Sequence, residues 1–256
     1  MSFRPCIDIH NGKVKQIVGS TLNDAGDSAV ENFVSDRDAA YFAGLYKEYD
    51  LPGGHVIILN SKDSEYYGAS RAQAISALHA YPGGLMIGGG IGPENAPEFL
   101  EEGASHVIVT SYIFEEGRIS YDKIEKLVAS VGADRIVIDL SCTYTDGAYH
   151  VTTNRWQTVS DETVDEALFD RLGGYCDGFL VHAVDSEGRS SGVDENLIRI
   201  LAKSKQEVCY AGGISSYDDI RRIVDIGSGK VDFTVGSRLD IFGGSLGIEE
   251  IIRCIR

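Results

Sequence analysis

Short apolar runs rich in β-branched residues punctuate the chain at fairly regular spacing: Phe3–Ile9, His55–Leu59, Leu85–Ile87, His106–Val109, Arg135–Leu140, Gly178–His182, Glu207–Tyr210 and Val231–Val235. Runs of this length, bounded by glycine and polar residues, read as strands buried on both faces. Between them lie stretches with the spacing of amphipathic helices: Asp36–Tyr49, Ser70–Ala80, Tyr121–Val131, Asp161–Leu172, Asp194–Ala202 and Tyr217–Ile226, with Gly247–Ile255 closing the series. The alternation is strand then helix, eight times over, and it demands parallel pairing. Eight units favour a closed (β/α)8 barrel of the TIM type over an open doubly wound sheet. The expected organisation is one barrel domain spanning residues 1–256.

The pattern repeats within itself. Gly88-Gly89-Gly90-Ile91 is echoed by Ala211-Gly212-Gly213-Ile214, and Val109-Thr110-Ser111 by Val235-Gly236-Ser237. Asp8, inside Cys6-Ile7-Asp8-Ile9, is echoed by Asp139, inside Val137-Ile138-Asp139-Leu140. All three echoes fall close to half the chain length apart, so the barrel reads as two (βα)4 half-barrels.

Functional groups of a parallel barrel gather at the C-terminal ends of its strands, which places Asp8 and Asp139 on one rim, facing each other across the mouth. That arrangement suits a reaction needing one proton donor and one acceptor. Alternatively, a strand-end aspartate caps the following turn or pairs with a lysine. The glycine runs at Gly89-Gly90 and Gly212-Gly213 present successive backbone N–H groups that bind phosphate without formal charge. Thr110-Ser111 and Gly236-Ser237 add amide and hydroxyl donors, so each half offers one anion site. A glycine run alone is often only a tight turn; its pairing with the next strand's serine in both halves is what gives it weight. The economical ligand is a small molecule phosphorylated at both ends, its reactive middle between the aspartates.

Composition narrows the classes. A hydrophobic fraction of 43% and a charged fraction of 24% suffice for a core without disulfides. The net charge of -16 argues against nucleic acid or an anionic membrane as partner. No run approaches the ~18 apolar residues of a membrane span, and the N-terminus carries no export signature. The five cysteines, Cys6, Cys142, Cys176, Cys209 and Cys254, form no C-x-x-C pair, so neither a disulfide framework nor a zinc site is signalled. A cytoplasmic protein acting as a monomer is expected, with no metal, since the histidines lack ligand spacing.

Other residues carry weaker signals. Trp156, the single tryptophan, sits in a long polar loop from Ser141 to Ser160, either stacking on a planar heterocycle as part of a lid or anchoring the loop. Arg155 beside it is a phosphate or carboxamide ligand, or simply exposed. Lys13, Lys15, Gly19 and Ser20 lie in an alternating hairpin-like segment that folds over substrate or stays solvated. His182 ends the sixth strand, where a hydrogen-bonded rim histidine is the plainer reading.

Together the Cys6-Ile7-Asp8-Ile9 to Gly12-Lys13-Val14 stretch, both glycine loops and Val235-Gly236-Ser237-Arg238 make the chain similar, throughout its length, to the histidine-biosynthesis barrel family. It most resembles the HisA-type isomerase branch, and Phe3 to Ser20 looks like that branch's eukaryotic form. The resemblance implies a cofactor-free Amadori rearrangement of ProFAR, an N-glycosidic aminoaldose, to the aminoketose PRFAR. It assigns Asp139 as general acid on the ribose ring oxygen, Asp8 as general base at C2′, and Trp156 as the ring-stacking residue. Three departures from the family pattern stand out: Gly92 where bacterial members carry an arginine, Ala183 where many carry a threonine, and Leu59-Asn60 at the second strand end. With Ala183 in that place, Asp185 becomes the neighbour expected to touch substrate. The rivals are the sister cyclase, which is expected to lack the stacking tryptophan, and a non-catalytic phosphate-binding barrel.

Overall fold

The computed structural model describes residues 1–17, 21, 29–153, 156, 158–186 and 192–255. Among them, eight parallel strands follow one another around the molecule: β1 (Cys6–His10), β2 (Gly54–Ile58), β3 (Leu85–Gly88), β4 (Val107–Val109), β5 (Ile136–Asp139), β6 (Gly178–His182), β7 (Glu207–Ala211) and β8 (Val231–Phe233). The ring closes where Arg4 N donates to Phe233 O at 2.8 Å and Phe233 N donates to Ser2 O at 3.2 Å. The rings of Phe3 and Phe233 stack at 5.6 Å over this seam. The expected (β/α)8 barrel is therefore the observed fold.

Strand residues sort with a period of two, because successive side chains point to opposite faces. Ile7 and Ile9, Val107 and Val109, Ile136 and Ile138, and Phe179 and Val181 belong to the core between barrel and helices. Their alternates, Met86, Ile108, Val137, Leu180, Cys209 and Ala211, form a separate cluster inside the lumen. The lumen parity carries on upward: Asp8 follows Cys6 by two, Asp139 follows Val137, and His182 follows Leu180. Burial on both faces is what erased any polar alternation from these strands in the sequence. At the lower end, Arg4 Nε donates to Asp232 Oδ2 at 2.6 Å and Nη2 reaches Glu207, tying the first residues to β7 and β8.

The outer layer comprises α1 (Ala39–Glu48), α2 (Tyr67–Ala80), α3 (Ala96–Glu101), α4 (Tyr121–Val131), α5 (Glu166–Leu172), α6 (Glu195–Leu201), α7 (Tyr217–Ile226) and α8 (Ile248–Cys254). Side-chain caps fix several starts. Asp38, Asp165 and Asp194 accept first-turn N–H groups of α1, α5 and α6, and Ser216 with Asp219 forms a reciprocal capping box on α7.

Three features differ from the sequence reading. Helix α3, absent from it, is a short element with proline in its first turn. The helix expected from Asp161 begins only at Glu166, because Thr158–Thr163 is a strand and Asp165 is the cap. The supposed long loop after β5 is a three-stranded antiparallel sheet of Cys142–Thr145, Ala148–Thr153 and Thr158–Thr163. Its β-branched content explains this, since Thr and Val favour a pleated, half-buried surface.

Candidate active site

Asp8, Asp139, both glycine loops and Trp156 line one cavity of about 640 Å³ at the C-terminal mouth of the barrel. Each carboxylate is held by a neighbour. Gln16 Nε2 donates to Asp8 Oδ2 at 3.4 Å, and Gln16 comes from Lys13–Ile17, a strand antiparallel to β1. Ser141 Oγ donates to Asp139 Oδ1 at 3.0 Å, and His182 Nδ1 lies 3.2 Å from the same oxygen.

The two glycine loops match in backbone as well as in sequence. Gly89 and Gly90 have φ of 101° and 65°, and Gly212 and Gly213 have φ of 120° and 71°. A Cβ on Gly89 would stand 2.1 Å from Ile58 O, and one on Gly212 would stand 2.9 Å from Ala183 O. Only glycine lets each loop pass this close to the neighbouring strand end at these positive φ angles. Thr110 and Ser111 lie beside the first loop on the cavity wall, and Gly236 and Ser237 beside the second.

Among the other predicted residues, Asp185 is not on the cavity wall; its carboxylate accepts from Thr143 Oγ1 at 2.8 Å and from Tyr144 N at 2.8 Å, pinning the antiparallel sheet to the end of β6. Lys15 is buried and paired with Glu31 rather than solvated or turned to the mouth. Gly19, Ser20 and Arg155 lie outside the described residues. The Trp156 ring sits 6.1 Å from that of His182, with φ of 67° at its own backbone.

Sequence reasoning passed over several wall residues. Lys62 borders the first glycine loop, its Cε 3.4 Å from where a Gly90 Cβ would be, and its Nζ is 2.7 Å from Glu94 Oε1. That contact, helped by the Glu94 backbone N–H, holds the Glu94 carboxyl below its usual value. Arg238 follows Ser237 on the opposite side. Lys62 and Arg238 give an acidic chain cations beside its two glycine cradles. Within the motif Val235-Gly236-Ser237-Arg238 the second was visible; nothing marked Lys62. His55, 4% exposed, lines the cavity from β2. Burial first, then the positive fields of His182 and Arg4, lower its pKa to about 3 against the pull of Asp139, so it is neutral at physiological pH. Among the described residues no cluster of His, Cys, Asp or Glu has the makings of a metal site, and no helix is long and apolar enough to cross a membrane.

A barrel whose two halves each bring a rim carboxylate and a glycine loop to one cavity belongs to the class of duplicated half-barrels. Comparison with known proteins identifies the family: residues 3–242 match the family described as "Histidine biosynthesis protein", and the chain belongs to it. A chloroplastic protein of Medicago truncatula, named 1-(5-phosphoribosyl)-5-((5-phosphoribosylamino)methylideneamino) imidazole-4-carboxamide isomerase HISN3, is 49% identical over 98% of this chain and 81% of its own length. Isomerases of the same chemical name are also similar to it: that of Neurospora crassa is 45% identical over 94% of this chain and 93% of its own, and that of Saccharomyces cerevisiae 43% identical over 95% and 94%.

Proposed function

We propose that this protein is a ProFAR isomerase of histidine biosynthesis: one barrel domain over residues 1–256, cytoplasmic, acting as a monomer on a bis-phosphorylated ligand. The observation that carries the reading is the cavity itself, where two carboxylates stand between two glycine loops of matching backbone. The names of the relatives supply the substrate. Five free thiols, four of them buried, fit a reducing compartment.

One substrate phosphate lies on Gly89-Gly90 with Thr110, Ser111 and Lys62; the other lies on Gly212-Gly213 with Gly236, Ser237 and Arg238. Binding at both ends fixes the sugar between the aspartates, converting acid and base steps into intramolecular ones. Asp139 protonates the ribose ring oxygen; the C1′–O bond breaks, its electron pair goes to that oxygen, and the glycosidic nitrogen forms the imine. Asp8 removes the C2′ proton, giving the enolamine. Return of that proton to C1′ and loss of the C2′ hydroxyl proton complete the ketose, so the substrate is isomerised with no net change in atoms or electrons. Trp156 supplies a flat face for the imidazole carboxamide. Lys62 takes the place of the arginine that Gly92 lacks.

A structure with the bis-phosphate substrate or product tests the reading. The expected result is one phosphate in each glycine cradle and the opened sugar between Asp8 and Asp139. Both phosphates outside the cradles would overturn it.

A further inference from the structure

At the end of β5 and β6 the lumen parity brings His182 and Asp139 together. Asp139 pairs in register with Leu180, so His182 stands one step higher on the next strand, and its ring reaches back to the carboxylate. Nδ1 is 3.2 Å from Asp139 Oδ1, and Ser141 Oγ, 3.0 Å from that oxygen, is also 3.5 Å from Nδ1. An imidazole in this contact exchanges a proton with the carboxylate along one line: either the carboxyl O–H donates to Nδ1, or a protonated ring donates to the carboxylate. Both side chains reach the cavity.

Among the described residues, the groups around them are few. His55, facing the pair from β2, is held neutral, and burial pushes the Cys142 thiol next to β5 well above its usual value, so it keeps its proton. Asp185 is turned to Thr143 and Tyr144, and Trp156 adds a ring without charge. Asp8 is the carboxylate across the same cavity, steadied by Gln16. Among the described residues, His182 and Asp139 are therefore the titratable neighbours in direct hydrogen-bonding contact.

We propose that His182 and Asp139 work as one proton-holding pair, with His182 the positioning residue that stores the proton Asp139 delivers. The inference rests on the isomerase reading for the identity of the acceptor, the ribose ring oxygen. The pair's single proton passes through Asp139 to that oxygen, which leaves His182 neutral and Asp139 ionised. The proton lost by the C2′ hydroxyl on ketonisation returns to the pair, which closes the cycle. An ordinary carboxyl has lost its proton by about pH 4, whereas a pair that includes an imidazole keeps one to about pH 6.5 or above. The missing threonine hydroxyl at Ala183 is thus offset by a neighbour on the same strand.

The test has two arms. The imidazole signal of His182, assigned by its loss in His182→Asn, is titrated by NMR in the otherwise intact protein and in Asp139→Asn. The pair requires the His182 midpoint to fall by about one pH unit when the carboxylate is removed; equal midpoints overturn it, whatever the substrate proves to be. In turnover, His182→Asn is expected to move the alkaline limb of kcat to lower pH by at least about one unit, with KM little changed and activity partly recovered in acid. A loss by the same factor at every pH would mark His182 as purely structural and overturn the proposal.

Discussion

Lys62 Nζ lies 2.7 Å from Glu94 Oε1, and both line the cavity beside the first glycine loop. A phosphate arriving there competes with Glu94 for the ammonium. Lys62→Ala is expected to raise KM tenfold or more, since a charge-assisted hydrogen bond is worth about 1.5–3 kcal/mol. Glu94→Gln, which frees the lysine, is expected to lower KM. Steady-state kinetics decide; unchanged KM in both variants would remove Lys62 from the phosphate site.

Asp8→Asn and Asp139→Asn are each expected to cut kcat by about 10²–10⁴, the range for losing a general acid or base. Neither side chain is asked to hold the phosphates, so the affinity for a bis-phosphate ligand should change little. Calorimetry beside turnover separates the two effects, and full activity in both variants would support a non-catalytic barrel.

The adjacent glycines of the first loop should respond differently to alanine. Gly90, at φ of 65°, lies in the left-handed region that L residues enter at a cost of about 1–2 kcal/mol. Gly89, at φ of 101°, would also drive its Cβ to 2.1 Å from Ile58 O, so the cost of Gly89→Ala should exceed about 3 kcal/mol. Equal denaturant midpoints for the two variants would show that the loop relaxes without regard to this contact.

His55 links the fold to pH. The unfolded chain binds a proton at His55 below about pH 6.5, while the folded chain resists until about pH 3. Stability from the neutral ring is complete above about pH 6.5 and is lost as pH falls toward the lower value, with a slope of up to about 1.4 kcal/mol per pH unit. His55→Leu should flatten the fall in unfolding free energy between about pH 6.5 and about pH 5 by up to this amount. Parallel curves for the two proteins would contradict the assignment.

The strands were legible because each is short, apolar and bounded by glycine or polar residues, and the duplication was legible because Asp8 and Asp139, like Gly89 and Gly212, sit at matching places in the repeats. Helix α3 was hidden by Pro93 and Pro97, whose presence reads as loop although one of them serves in the first helical turn. The stretch from Asp161 reads as helix on its periodicity; the pairing of His150 with Thr163 claims that region for a sheet, a choice made by the preceding antiparallel strand rather than by local spacing. The Lys62–Glu94 contact depends on how loops from different βα units meet, and no local pattern encodes such a meeting; Gln16 and Ser141 lie near their aspartates in sequence, but their aim at the carboxylates is set by the hairpin after β1 and the turn after β5.

Product analysis tests the central claim most directly. Purified protein incubated with ProFAR alone is expected to yield a compound of unchanged mass in which C2′ has become a ketone carbon by ¹³C NMR, at a rate abolished in the double variant Asp8→Asn, Asp139→Asn. Unaltered ProFAR, or imidazole glycerol phosphate formed from PRFAR when ammonia is supplied, would contradict it.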